Sequence, residues 1–266
     1  MEYITETVTA GEAVFEFFRF GEGKKPLIIL PGLSIKSILM YKAAVAIALD
    51  TFGEDYEVFV FDRRKNFPDV YPVEEMAKDY IAAFEKLGFD EVSLYGISQG
   101  GMIALSIAVQ RPDFVRAMVL GSTCARFKTG PVKMLAEWNR LAMERKEDEL
   151  INSFMNKVYS KAFVDAYRDA IVASSSGITE EEYERFVIST DAPTKYDVYD
   201  KLSVIKCPVL VLGGSDDQVL EPESSIEIAE KLNCELKIFE GASHAVYDEE
   251  PEFKTAAKAF LQKTLA

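Results

Sequence analysis

The sequence predicts an α/β fold built on a doubly wound, mostly parallel sheet, and three observations support this prediction. Short, almost continuous apolar runs recur along the chain, amphipathic helical patterns separate them, and one long helical stretch interrupts the alternation. Continuous apolar strands are typical of a parallel sheet whose two faces are both covered by helices. Strands that alternate with helices indicate a doubly wound sheet.

The individual elements are an N-terminal hairpin, six strands and the helices between them. Residues 3–9 and 13–18 flank a turn, which predicts an antiparallel hairpin at the edge of the sheet. An amphipathic helix over 73–87 is stopped by Gly88, and a C-terminal helix has Pro251 in its first turn. Buried strands are predicted at 27–30, 58–61, 92–95, 118–120 and 209–212, with a weaker sixth at 236–239.

The alternation stops between residues 124 and 202, where the sequence is almost entirely helical in pattern. Breaks in this helical stretch are expected at 174–177 and 192–193. An insertion of this size is expected to lie over one end of the sheet as a helical cap. The predicted domains are therefore an α/β core of residues 1–123 and 203–266 and a cap of residues 124–202.

Composition and charge exclude several classes of function. At 266 residues, with 48% hydrophobic and 28% charged residues, the chain has the balance of a globular domain rather than a disordered one. A formal net charge of −14 would repel a phosphate backbone or an anionic membrane surface, so we expect neither nucleic acid nor membrane as a partner. The N-terminus has no signal-peptide pattern and no segment approaches a membrane span, which predicts a cytoplasmic protein.

The most informative motif is Gly96-Ile97-Ser98-Gln99-Gly100-Gly101. A bare Gly-x-Ser-x-Gly is weak evidence, because glycine and serine are common. Here the motif directly follows the predicted strand 92–95 and opens a helix predicted over 101–109, which is the context that a nucleophile elbow requires. In such an elbow a strained turn lifts the serine hydroxyl above the sheet. Ser98 is therefore the predicted nucleophile.

A serine nucleophile needs a base to take its proton, and the chain contains a single histidine, His244. His244 follows the strand 236–239, at the sheet edge where open α/β proteins bind ligands. A base of this kind needs an acid that holds its tautomer. Two adjacent carboxylates, Asp216 and Asp217, follow the strand 209–212, and their order along the chain does not choose between them.

These motifs resemble the α/β-hydrolase family, in its capped branch of esterases, lactonases, carbon–carbon bond hydrolases and proline iminopeptidase-like enzymes. The resemblance covers nearly the whole chain outside the cap. The family places its acid last in a Gly-x-x-Asp turn followed by x-Val or x-Ile, a pattern that falls on Asp217 in residues 214–219. Asp216 is then expected to point to solvent or to cap the turn.

The resemblance also implies an oxyanion hole made of two backbone N–H groups. One belongs to Gln99, directly after the nucleophile, and the other to Leu33 or a neighbour in the loop after strand 27–30. The family usually has His-Gly where this chain has Pro31-Gly32. Because only the backbone donates, the loss of that histidine should not abolish function.

Two further groups of residues are expected to be mainly structural. Asp62, Arg63 and Arg64 lie where the family often has an Asp-x-Arg-Gly turn, and we expect no role for them in the chemistry. Several apolar cap residues could line an acyl pocket, although most are expected to pack the cap itself: Met134, Leu135, Trp138, Met143, Phe154, Met155, Tyr159, Phe163 and Tyr167.

Together these features predict a serine hydrolase that cleaves an ester-like bond (a carboxylic ester, lactone or thioester) in a small apolar acyl substrate. The reaction would pass through an acyl-enzyme on Ser98, with His244 and Asp217 completing the triad, and would need neither a metal nor an organic cofactor. A carbon–carbon bond hydrolase or an acyltransferase with the same triad, and a ligand receptor on the same fold, are the alternatives. The sequence identifies neither the substrate nor the oligomeric state.

Overall fold

In a computed structural model that describes residues 2–265, one eight-stranded sheet forms the centre of the molecule. Its strands are β1 Ile4–Ala10, β2 Ala13–Phe20, β3 Lys25–Leu30, β4 Tyr56–Phe61, β5 Val92–Ile97, β6 Val115–Gly121, β7 Val209–Gly214 and β8 Glu235–Phe239. They are arranged in the order β1-β2-β4-β3-β5-β6-β7-β8. β1 pairs antiparallel with β2 and β2 with β4, whereas all other neighbours run parallel. The predicted fold class is confirmed.

Helices connect the parallel strands and cover the sheet. The α-helices are α1 Lys42–Leu49, α2 Val73–Lys86, α3 Gln99–Gln110, α4 Thr129–Met143, α5 Glu147–Val158, α6 Lys161–Ser175, α7 Glu180–Asp191, α8 Pro222–Leu232, α9 Val246–Glu249 and α10 Pro251–Lys263. Short 3-10 helices lie at Ile38–Tyr41, Asp50–Phe52 and Tyr199–Val204. None of the helices among residues 2–265 combines the length and the apolar character needed to cross a membrane.

The sheet is buried on both faces, and successive side chains along a strand pack alternately against one face and the other. In β3, Ile28 and Leu30 pack into one apolar cluster, while Leu27 and Ile29 pack into a second cluster on the opposite face. All four side chains are at most 5% exposed. Because successive residues of a strand point to opposite faces, a strand buried on both faces needs apolar residues at every position. This explains the continuous apolar runs in the sequence.

The weaker signal at 236–239 has a structural reason. β8 is the last strand of the sheet and pairs only with β7. The first two residues of β8, Glu235 and Leu236, are exposed, Leu236 to 39%. An edge strand tolerates polar residues that a central strand would exclude, so its sequence is less apolar.

The stretch between β6 and β7 carries the four helices α4 to α7. The predicted breaks at 174–177 and 192–193 agree with the ends of α6 and α7. Two other breaks were not predicted. Arg145 adopts a left-handed backbone (φ 57°) between α4 and α5, and the Ser160 hydroxyl caps α6 by accepting a hydrogen bond from the N–H of Phe163. The division into core and cap domains stays a prediction.

Candidate active site

The Gly96–Gly101 motif forms a tight turn between β5 and α3. Ser98 has φ 52° and ψ −121°, a strained backbone for a residue with a side chain. Its N–H donates to the Gly121 carbonyl at 2.8 Å, and its own carbonyl accepts the N–H of Gly101 at 2.9 Å. A methyl group on Gly100 would overlap the Leu30 carbonyl oxygen. The glycine therefore lets α3 start directly against the end of β3, which keeps Ser98 at the carboxyl edge of the sheet.

The structure brings Ser98, His244 and Asp217 into one hydrogen-bonded chain. His244 Nδ1 lies 2.8 Å from Asp217 Oδ2, and His244 Nε2 lies 3.0 Å from Ser98 Oγ. A carboxylate can only accept, so the proton belongs on Nδ1, and Nε2 is left to accept the serine hydroxyl proton. All three side chains are less than 10% exposed. The arrangement can remove a proton from Ser98 and hold the resulting imidazolium against a buried anion.

The two neighbouring aspartates lie in different surroundings. Asp217 Oδ1 accepts the N–H groups of Val219 (2.7 Å) and Leu220 (3.0 Å), which leaves Oδ2 for the histidine. Burial by itself raises the pKa of Asp217, but the imidazole and these N–H groups outweigh burial and hold that pKa below its ordinary value. Asp216 is exposed, and its Oδ1 accepts the Ser215 hydroxyl proton at 3.0 Å. Of the pair, only Asp217 contacts the histidine.

The loop after β3 lies against Ser98. A methyl group placed on Gly32 would come within 3.1 Å of Ser98 Cβ, so the backbone of this loop approaches the serine closely. Gly32, Leu33, Ser98 and Gln99 all border the same cavity. Among the described residues, no acceptor takes a hydrogen bond from the backbone N–H of Leu33 or of Gln99. Both groups are therefore available to a ligand atom beside Ser98.

A cavity of about 450 Å³ opens beside Ser98 and His244. It reaches residues of both apolar clusters, since Met102 and Leu135 belong to the cluster on one face of the sheet and Tyr95 and Leu49 to the cluster on the other. A mostly apolar cavity with a few polar groups is the usual form of a small-molecule site. The hydrogen-bonded chain thus borders one cavity whose wall draws apolar residues from both clusters.

Four of the nine cap residues considered above border this cavity: Leu135, Trp138, Phe154 and Tyr159. Tyr159 stacks on Phe163 at 4.9 Å between ring centroids, and Phe163 contacts Tyr167 at 4.7 Å. Met143 is 63% exposed and Met155 is buried without bordering the cavity. The other five residues of the set, including Met143 and Met155, do not border the cavity.

One part of the cavity wall is polar. Asp248, four residues after His244, borders the cavity together with Lys254 and Tyr159. Desolvation by the surrounding protein raises the pKa of Asp248 to about 6, although the Lys254 ammonium and the Tyr159 hydroxyl act in the opposite direction. The wall can therefore offer a carboxyl group that changes its protonation state in weakly acidic solution.

The helices between β6 and β7 are joined to the rest of the molecule around this cavity by polar contacts, of which the one made by Gln99 is buried. Lys36 Nζ donates to Glu182 Oε2 at 2.8 Å and to the Gly177 carbonyl at 2.7 Å. The Gln99 side chain donates to the Ser189 carbonyl at 2.7 Å, and the Tyr41 hydroxyl donates to the Ser174 carbonyl at 2.7 Å. These contacts hold α6 and α7 against the loops that follow β3 and β5.

Comparison with known families gives the wider relationship of the chain. A family model described as serine aminopeptidase, S33 (Hydrolase_4) matches residues 47–252, more than half of the chain. The chain belongs to this family. The predicted relationship to the capped branch of the α/β-hydrolases is thereby confirmed, and this S33-family chain is a hydrolase.

Individual relatives of this S33-family chain are distant but extend over most of its length. A protein named 3-oxoadipate enol-lactonase 2 from Acinetobacter baylyi is 22% identical, with 98% of both chains covered. A proline iminopeptidase from Clostridioides difficile is 24% identical over 87% of each chain. An α/β hydrolase from a Medee basin deep-sea metagenome library has a TM-score of 0.86 at 22% identity over 97% of both chains. The enol-lactonase from Burkholderia xenovorans LB400 has a TM-score of 0.83 at 18% identity over 97% of this chain and all of that one.

Sequence reasoning missed part of this site. The wall formed by the Ile38–Tyr41 turn and α1 was not predicted, because this stretch shows no strong amphipathic pattern and its place beside Ser98 results from the winding of the sheet. Asp248 and Lys254 were not singled out either. Asp248 lies in α9, which has only four residues and begins after His244, so no helical periodicity marked it in the sequence. Arg63, to which no chemical role was assigned, contacts the loop after β3.

Proposed function

We propose that this chain is a serine hydrolase that cleaves carboxylic ester-like bonds of small molecules through an acyl-enzyme. The observation that supports this proposal most directly is the hydrogen-bonded chain Ser98–His244–Asp217 at the wall of a mostly apolar cavity. A serine nucleophile needs an adjacent base whose own orientation is held by a third group, and the two distances of 3.0 Å and 2.8 Å are consistent with that requirement.

In the first half of the reaction the acyl group moves to the enzyme. Ser98 Oγ attacks the carbonyl carbon while its proton passes to His244 Nε2, and the negative charge moves to the carbonyl oxygen. The backbone N–H groups of Gln99 and Leu33 are the donors proposed for that oxyanion. When the tetrahedral intermediate collapses, the bond to the alkoxide leaving group breaks and His244 returns the proton to it. Asp217 stays ionised and stabilises the imidazolium.

In the second half, water replaces the alcohol. The oxygen of a water molecule attacks the acyl carbon while His244 accepts a proton from that water. The second tetrahedral intermediate then releases the carboxylic acid, and Ser98 Oγ regains its proton from His244. The acyl group would lie against the apolar wall of the cavity beside Ser98. Relatives named enol-lactonases make cyclic esters the first substrates to examine.

The test compares Ser98→Ala with a matched control, Ser122→Ala. Ser122 is also buried and also has a positive φ (43°), and its hydroxyl has no hydrogen-bond partner among the described residues. With 4-nitrophenyl butyrate we expect Ser98→Ala to lose at least about 10³-fold in kcat and to lose labelling by a fluorophosphonate, because the nucleophile is gone. Ser122→Ala should keep both.

Two outcomes would contradict the proposal. Hydrolysis that survives in Ser98→Ala would remove the serine from the mechanism. Labelling at Ser98 together with a preference for a 1,3-diketone over every ester and lactone would indicate carbon–carbon cleavage by the same residues. Transfer of the acyl group to an added alcohol rather than to water would indicate an acyltransferase.

A further inference from the structure

The Arg63 guanidinium is buried behind the loop after β3. The residue is 9% exposed and lies two positions beyond the end of β4. Its Nη1 donates to Ser34 Oγ at 2.9 Å, and its Nη2 donates to the Gly32 carbonyl and lies 3.3 Å from Gln99 Oε1. One side chain therefore contacts both segments that contain the two backbone donors proposed for the oxyanion.

We propose that Arg63 is a positioning residue that orients both donors of the oxyanion hole, by holding the Gly32–Leu33 peptide group and the Gln99 side chain. This inference rests on the proposed function and adds a residue to it.

Arg63 binds the peptide group between Gly32 and Leu33 on its carbonyl side. The carbonyl of Gly32 and the N–H of Leu33 belong to the same planar unit, and the peptide bonds of the described residues are all trans. In a trans peptide group the C=O and N–H bonds point in opposite directions. A guanidinium bound to the Gly32 oxygen therefore directs the Leu33 N–H away from Arg63, and a flip of this peptide group would break the bond to Arg63. The positive charge on the carbonyl side also polarises the group and strengthens the N–H as a donor.

Gln99, the residue after Ser98, is held by hydrogen bonds at both ends of its side-chain amide. Its Oε1 faces Arg63, and its Nε2 donates to the Ser189 carbonyl of α7 at 2.7 Å. The side chain is held at both ends, which restricts the first turn of α3, where the Gln99 N–H lies. Arg63 thus connects the two donors mechanically, although neither N–H touches it.

The partners of Arg63 differ from those of an arginine that only stabilises the fold. Its neighbour Arg64 pairs with the Asp79 carboxylate at 2.9 Å. Arg63 instead binds three neutral oxygens, its Nε has no partner among the described residues, and burial lowers its pKa. A cation buried against neutral acceptors, with one N–H unsatisfied, costs free energy that a neutral side chain would avoid. The neighbouring Asp62 carboxylate offsets part of this cost, but it is not among the hydrogen-bond acceptors of the guanidinium. A role in orienting the loop accounts for the hydrogen bonds that Arg63 does make.

The experiment compares Arg63→Met with Arg64→Met, which removes the same guanidinium one residue away from the loop. In Arg63→Met we expect kcat for 4-nitrophenyl butyrate to fall about 10²-fold, the loss typical of one oxyanion donor, with KM changed less than about 3-fold. Affinity for phenylboronic acid, which forms a tetrahedral adduct with the serine, should fall by a similar factor. Arg64→Met should keep the wild-type kcat and inhibitor affinity.

Arg63→Lys provides a second variant in case the methionine protein does not fold. A lysine keeps the charge but cannot reach both loops with its compact ammonium group, so kcat should fall about 10-fold. The positioning role is wrong if folded Arg63 variants keep kcat and boronate affinity within about 3-fold of wild type. It is also wrong if only KM rises or only thermal stability falls. In both cases the serine mechanism stands. Hydrolysis that persists in Ser98→Ala would overturn both proposals.

Discussion

At the scale of single residues, the histidine is the side chain on which the site depends. His244 is the only histidine in the chain, and each of its ring nitrogens has one partner, Asp217 on Nδ1 and Ser98 on Nε2. Ser243, next to it, donates to the Val158 carbonyl at 3.0 Å and also contacts Glu249. The loop that carries His244 is thereby attached to the end of α5.

The adjacent aspartates allow a matched test of the third member of this chain. Asp217→Asn should lower kcat about 10³- to 10⁴-fold, because an amide stabilises the wrong tautomer and no longer balances the imidazolium charge. Asp216→Asn changes the neighbouring residue in the same way, but that side chain is exposed, so activity should stay within about 2-fold of wild type. The measurement is kcat from steady-state kinetics with an aryl ester. Equal losses of kcat in the two variants would contradict the assignment of Asp217.

The same pair of variants tests the electrostatics of Asp217. Its pKa in the folded protein lies below the ordinary value, so its ionised form stabilises the fold above the unfolded-state pKa, and this contribution is lost as the pH falls through the folded-state pKa. Melting temperatures measured from pH 7 towards pH 3 should therefore fall more steeply for wild type and Asp216→Asn than for Asp217→Asn.

Motifs predicted the three residues of the chain because each lies at a strand end with a recognisable turn. The residues that support them could not be predicted in the same way. Arg63 reaches residues 31 and 36 positions away, and the contact exists only because β4 and β3 are neighbours in the sheet. Asp248 borders the cavity through a helix of four residues, too short to leave a periodic pattern.

At the scale of elements, the elbow depends on the close approach of α3 to β3. Gly100→Ala would place a methyl group on the Leu30 and Pro31 carbonyl oxygens, so the helix must move away from the strand. We expect a loss of roughly 3 kcal/mol or more in the free energy of unfolding, together with loss of activity because Ser98 moves with the turn. Urea unfolding and ester hydrolysis measure the two effects.

Gly130→Ala is the control for this prediction. Gly130 is also in the first turn of a helix, but a methyl group there would meet only the Glu221 carboxylate, the end of a flexible side chain. Stability and activity should be unchanged or slightly higher. Similar losses in the two variants would show that the crowding at Gly100 is not what limits substitution.

Whole helices and strands were easier to predict than the turns between them. The continuous apolar runs located the strands, because burial on both faces demands apolar residues at each position. The break at Arg145 was not predicted, since a left-handed arginine has no signature of its own and is held by its contacts, including its ion pair with Glu180 at 2.6 Å. Sequence periodicity records which face of an element is buried, but not against which partner.

At the scale of the whole molecule, the helices between β6 and β7 are tied to the core by a nearly buried ion pair. Lys36 is 7% and Glu182 12% exposed, and they are 146 residues apart in the chain. Glu182 also accepts the N–H of Thr179 at 2.9 Å as part of the capping box of α7, so the same carboxylate serves both the helix and the contact with the core. The pair lies beside the cavity, which Lys36 borders.

Removal of one partner should loosen α7 from the core. Lys36→Met leaves the Glu182 charge enclosed without its cation, and we expect a cost of about 3 kcal/mol in the free energy of unfolding. The double variant with Glu182→Gln removes the uncompensated charge while the amide oxygen can still accept from Thr179, so most of the loss should be recovered. Lys161→Met breaks an ion pair whose lysine is 86% exposed, and it should cost less than about 0.5 kcal/mol.

The single tryptophan makes this measurement specific to the helices between β6 and β7. Trp138 is in α4 and 1% exposed, so its fluorescence during urea unfolding reports on that region, while circular dichroism reports on all helices. In Lys36→Met the fluorescence transition should move to lower urea more than the dichroism transition. A midpoint equal to that of Lys161→Met, or no recovery in the double variant, would mean that the Lys36–Glu182 pair does not hold this region to the core.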